Sequence, residues 1–155
     1  MRTGTHHATM PARRHGIPAM HEIDALRTLA VHAARHAYAP YSNLLVGTAL
    51  RAASGKIYTG CNVENASFPI GSCAERGAIA TAVQGEGAQF ALVAIAVAAF
   101  NRAGEPLPVT PCGACRQALV EFGEEATVSF RQPDGHWLEV TASQLLPHRF
   151  SFPAG

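Results

Sequence analysis

Phe90-Ala91-Leu92-Val93-Ala94-Ile95-Ala96-Val97-Ala98 carries no polar side chain. The apolar run ends at Phe100, well short of the roughly 20 residues that a membrane-spanning helix needs. Its near-continuous apolar character predicts a strand buried on both faces. Such a strand must be covered by helices on both sides, and the flanking sequence supplies them. Upstream, Val46–Ala52 and Ile57–Cys61 read as strands joined by a hairpin turn at Ser54-Gly55. Before them, Ile23, Leu26, Leu29, Ala30, Ala33 and Ala37 give an apolar face to a helix predicted over His21–Tyr38, with Pro40 as its stop. An Ala-rich helix is predicted over Cys73–Gln84, stopped by Gly85. Downstream, Pro111 opens a helix over Cys112–Phe122 that Gly123 ends. Val128–Arg131 and Trp137–Val140 read as strands around the turn Pro133-Asp134-Gly135, and Thr141 with Gln144 matches a capping box. This order predicts an α/β fold, a three-layer α/β/α sandwich with a mixed five-stranded sheet.

The chain has 155 residues, 48% hydrophobic and 15% charged, which suits one globular domain. Residues 1–20 contain Arg2, Arg13 and Arg14 but no apolar core of a secretion signal. They are expected to be a disordered extension, with a single domain over 21–155. Twelve Lys and Arg are scattered and nearly cancelled by 11 acids, so net charge is +1. That balance, without an aromatic-basic groove, argues for a small neutral substrate and against nucleic acid. No apolar stretch suggests a membrane span. Four cysteines without an export signal imply a reducing, cytoplasmic setting, where closely spaced thiols are more often metal ligands than disulfides.

Two segments carry the chemistry: Cys73-Ala74-Glu75-Arg76 and Pro111-Cys112-Gly113-Ala114-Cys115. Both fall at predicted helix starts. The second pair of cysteines has the spacing that puts two sulfurs on one helical face. Cys73 supplies a third thiolate, and three ligands leave one tetrahedral position of a zinc ion open to water. Helix N-termini stabilise thiolates. Arg76 is placed to donate hydrogen bonds to the sulfurs and offset the negative charge of three thiolates. Glu75, two residues after Cys73, is free to face the water. The pattern Cys-x-Glu followed by Pro-Cys-x-x-Cys marks zinc deaminases, in which zinc activates water and the carboxylate moves protons to the ring nitrogen and the departing ammonia. A redox pair at Cys112 and Cys115 would not need the distant Cys73-Ala74-Glu75. A structural zinc would want a fourth ligand, and Cys61, at a strand end, reads as a small buried hydrophobe.

Around these segments the chain resembles the cytidine deaminases, the small homotetrameric class that acts on free nucleosides. The resemblance rests on Tyr38-Ala39-Pro40-Tyr41-Ser42-Asn43, Gly60-Cys61-Asn62-Val63-Glu64-Asn65-Ala66, the two cysteine segments extended to Arg116-Gln117, and Leu145-Leu146-Pro147 with Phe150. It implies one zinc per subunit, held by Cys73, Cys112 and Cys115, with Glu75 catalytic. It implies that Asn62 and Glu64 bind the ribose hydroxyls, although the residues alone are equally read as an Asx-type turn closing a strand. It implies that the Ala74 N–H meets the base carbonyl and that Phe150 reaches a neighbouring subunit's pocket, the alternative being local packing. The chain departs from the family at Leu44, where a Phe commonly packs against the base, and at Gly77, where Thr is usual.

The expected function is hydrolytic deamination of cytidine or 2′-deoxycytidine to the uracil nucleoside plus ammonia, in pyrimidine salvage. Leu44 motivates an alternative, an aminohydrolase for a modified cytosine nucleoside or a nucleoside antibiotic. A non-catalytic zinc-stabilised binding protein is the alternative of another class, and Glu75 argues against it.

Overall fold

Alternate side chains of a strand leave on opposite faces, and the central apolar strand uses both. The computed structural model describes residues 20–152. In it this strand is β3, Leu92–Phe100, with every residue before Phe100 buried. Ile95, Val97 and Ala99 enter one core, and Ala94, Ala96 and Ala98 enter another. On the second face lies α1, Met20–Ala34, through Ile23, Leu26 and Ala30. On the first face lie α2, Ala74–Glu86, and α3, Gly113–Phe122, through Ala74, Ala78, Ala82, Leu119 and Val120. The layers are therefore helix, sheet, helix.

The remaining strands are β1, Leu45–Ala52, β2, Ile57–Cys61, β4, Pro106–Leu107, β5, Thr127–Arg131, and β6, Trp137–Thr141. The sheet order is β2-β1-β3-β5-β6, and β4 pairs with the end of β3. Only β3 and β5 run parallel among these pairs, so the sheet is mixed. The five-strand path matches the expectation. The two-residue β4 is an addition, too short to show any hydrophobic period. The last helix, α4, Ala142–Leu145, starts on the expected capping box: Thr141 N–H donates to Gln144 Oε1 at 2.8 Å and Gln144 N–H to Thr141 Oγ1 at 3.2 Å.

Two helix ends differ from the sequence reading, each for a tertiary reason. The first helix was expected to reach Tyr38, but α1 ends at Ala34. Arg35, His36 and Ala37 tighten into single turns, after which Tyr38 N–H donates to Asn62 O at 3.0 Å and Tyr38 O accepts from Glu64 N–H at 2.8 Å. Pairing with the segment after β2 outweighs the continuing helical period. The second difference is at Gly85, which does not stop α2. It lies inside the helix because the Tyr58 ring packs there: a Cβ at Gly85 would sit 2.7 Å from the Tyr58 Oη. Gly87, at φ 65°, is the stop. The expected extension over 1–20 lies, apart from Met20, outside the described residues.

Gly60 sets the position of the site. A Cβ there would come within 2.5 Å of Ala74 O and Ala78 N, so the first turn of α2 rests directly on β2. Gly77, one turn further on, is not needed in this way. A Cβ at Gly77 would meet Cys61 O at 3.6 Å, an ordinary contact. Gly77→Ala is therefore expected to raise stability by about 1 kcal/mol through helix propensity, read as a higher denaturant midpoint at unchanged slope.

Candidate active site

A residue at the helix N-cap has extended backbone and stands just outside the first turn, close to the free N–H groups. Both cysteine segments use this position. Cys73 caps α2 with φ −72° and ψ 153°, and Cys112 caps α3 with φ −66° and ψ 165°. The helices thus begin one residue later than the sequence reading placed them. Cys112 and Cys115 converge as cap and first turn, not as two residues inside one helix. The outcome is the same: the sulfurs of Cys73, Cys112 and Cys115 all lie within 4.8 Å of one another, with Cys73 Sγ and Cys112 Sγ 3.8 Å apart. A tetrahedral zinc with Zn–S bonds of about 2.3 Å holds its sulfurs about 3.8 Å apart. The trio fits that ion. Cys61 is not part of it.

The electrostatics favour thiolate formation on one member first. Hydrogen bonding from Cys115, then from Cys112, and the charge of Arg76 hold the Cys73 thiol down at about 5. Cys115, hydrogen-bonded to Cys73 and buried, is pushed up. Arg76 also donates from Nη2 to Gly71 O at 2.9 Å. It therefore braces the loop before α2 while its charge acts on Cys73. Glu75 is 3% exposed, and burial pushes its carboxyl above the usual range. A buried carboxylate with a raised proton affinity suits a proton carrier.

A cavity of about 620 Å³ opens beside the sulfurs. Leu44, Asn62, Glu64, Ala74 and Glu75 all line it, together with Cys73 and Cys112. Phe150 does not line it. That residue is 69% exposed, and its backbone is gripped from both sides by Gln117, whose Nε2 donates to Phe150 O at 3.0 Å and whose Oε1 accepts from Phe150 N–H at 3.2 Å. The Asn62 side chain does what an Asx-type closure does: Oδ1 accepts from Val46 N–H at 2.8 Å and Nδ2 donates to Leu44 O at 2.9 Å. It holds β1 while facing the cavity. Sequence reasoning gave no role to Tyr41, Ser42 or Phe68, which also line the cavity. Tyr41 and Phe68 meet edge to face, 5.8 Å between centroids, at the rim. The signal available for Tyr41 and Ser42 was their place within the motif Tyr38–Asn43, whereas Phe68 lies two residues beyond the motif that carries Asn65.

Known proteins give the same picture. Residues 20–131 match the family model described as the cytidine and deoxycytidylate deaminase zinc-binding region. A cytidine deaminase of Sporosarcina psychrophila is 40% identical over 131 residues, covering 84% of this chain and 92% of the relative. One of Halalkalibacterium halodurans is 42% identical over 123 residues, covering 79% and 89%. The crystal structure of a cytidine deaminase from Burkholderia pseudomallei superposes with a TM-score of 0.70 at 41% identity, covering 82% of this chain and 98% of that one. A match of this extent, centred on the segments that bring the three sulfurs together, places the chain in the cytidine deaminase family.

Proposed function

We propose that this protein is a zinc-dependent hydrolase that converts cytidine or 2′-deoxycytidine to the uracil nucleoside and ammonia. The observation that carries the reading is the trio of sulfurs at zinc spacing, opening on a cavity that also contains the buried Glu75. Zinc, held by Cys73, Cys112 and Cys115, supplies the Lewis acidity that makes water nucleophilic at neutral pH. Glu75 accepts the proton of the attacking water and delivers protons to the ring nitrogen and the departing ammonia. Its burial keeps bulk water from competing for that proton. Ala74, the first residue of α2, presents a helix-start N–H to the base carbonyl. Leu44 forms the apolar wall against the base, and Arg76 offsets the charge of the thiolates. Asn62 and Glu64 bind the sugar hydroxyls.

Phe150 belongs to a neighbouring subunit's pocket in a homotetramer. Its exposure, its absence from its own cavity and the grip of Gln117 support this. Cytoplasmic pyrimidine salvage is the setting that fits free thiols and a small nucleoside substrate. Among the described residues no helix is long and apolar enough to cross a membrane.

The test is the loss of cytidine absorbance with purified, zinc-analysed protein. A kcat/KM on cytidine orders of magnitude below that on a substituted cytosine nucleoside would favour the second reading, which the aliphatic Leu44 in the cavity wall motivates. Glu64→Gln is expected to lower kcat/KM on cytidine by about 10- to 100-fold, the worth of a hydrogen bond to a charged group.

A further inference from the structure

We infer that Ser42 positions the carboxylate of Glu64, holding this sugar ligand from the loop that carries Leu44. This rests on the reading of Glu64 as a ribose ligand.

Both oxygens of Glu64 are held from the loop before β1. Oε2 accepts from Tyr41 N–H at 2.9 Å and from Ser42 N–H at 3.2 Å, and Oε1 accepts from the Ser42 hydroxyl. A serine hydroxyl has one proton to give and lone pairs to receive. With its proton on Glu64, Ser42 Oγ accepts from Leu44 N–H at 3.0 Å. The Leu44 carbonyl accepts in turn from Asn62 Nδ2 at 2.9 Å. The chain of contacts therefore runs Glu64, Ser42, Leu44, Asn62. It joins the two proposed sugar ligands through the backbone of the residue that lines the base wall.

The loop needs such clamping. Asn43, between Ser42 and Leu44, has φ 59° and is the one non-glycine residue at positive φ among the described residues. Its side chain is held by Arg102 Nη1 at 3.1 Å. Three of the roughly four acceptor sites of a carboxylate are thus filled on Glu64, which leaves it free to read one sugar hydroxyl in a fixed direction.

The experiment measures kcat and KM of zinc-loaded parent, Ser42→Ala and Ser42→Thr on cytidine and on 2′,3′-dideoxycytidine. Ser42→Ala is expected to raise KM for cytidine about tenfold with kcat within about twofold, and to change kcat/KM on the dideoxy substrate less than about threefold. The preference for cytidine then shrinks by close to the same factor. Ser42→Thr keeps the hydroxyl and is expected to keep the preference. It also provides the readout should the alanine variant not fold, since a collapsed preference there overturns the inference. An equal loss on both substrates in Ser42→Ala overturns it too, because the hydroxyl then only builds the loop. A parent that does not prefer cytidine over the dideoxy substrate removes Glu64 as a sugar ligand, and the inference falls with that reading.

Discussion

Glu75→Gln is expected to lower kcat on cytidine by about 10²- to 10⁴-fold, the span over which a positioned proton carrier contributes. Glutamine has the same shape and can still donate and accept hydrogen bonds, so the site should fill identically. It cannot take up and release a proton. Glu75 is buried at the second position of α2, where its burial raises its proton affinity. Substitution by a neutral residue removes a buried charge, so the fold should not suffer. The check is a pair of measurements on one sample: single-turnover kinetics on cytidine and zinc content by elemental analysis. Zinc near one per chain with kcat reduced a hundredfold or more supports the role. A kcat within tenfold of the parent means that another group moves the proton.

Cys115→Ala is expected to abolish both zinc retention and turnover. Its sulfur belongs to the fully buried member of the trio, in the first turn of α3. Removing it leaves two thiols at helix caps, of which Cys112 is exposed. Dialysis that leaves the parent loaded should strip this variant. A ligand present at a thousandfold its dissociation constant adds about 4 kcal/mol of stability, so the variant should also melt well below the loaded parent and close to the chelated one. Cys61→Ala makes the comparison sharp. Cys61 lies at the end of β2, outside the trio. Its alanine variant is expected to keep zinc and activity. If Cys61→Ala loses zinc and Cys115→Ala does not, the ligand set is wrong.

Much of the fold was legible because its signals are local. The run from Phe90 reads as a two-sided strand whatever surrounds it. Thr141 and Gln144 cap α4 within one turn, and Ser54-Gly55 lies in the four-residue turn that joins β1 to β2. The structure corrected what depended on distant partners. Tyr38 leaves the helical pattern because it hydrogen-bonds to Asn62 and Glu64. Gly85 stays inside α2 because Tyr58, from β2, occupies the space of a side chain. Pro106 and Leu107 form β4 only because the end of β3 is free to pair with them.

The site divides in the same way. By itself the sequence determined the chemistry around the sulfurs, since Cys73 with Glu75, and Cys112 with Cys115, are each set within one helical turn. It placed each pair at a helix start but could not bring the two starts together. The tertiary structure did that, and the missing side chain of Gly60 is what lets α2 settle onto β2 at the required depth. It also decided that Asn62 and Glu64 are built into the loop carrying Leu44, through hydrogen bonds that span 18 to 23 residues. Contacts of that separation leave no periodicity or spacing in the chain. They exist only once the sheet has fixed β1 beside β2.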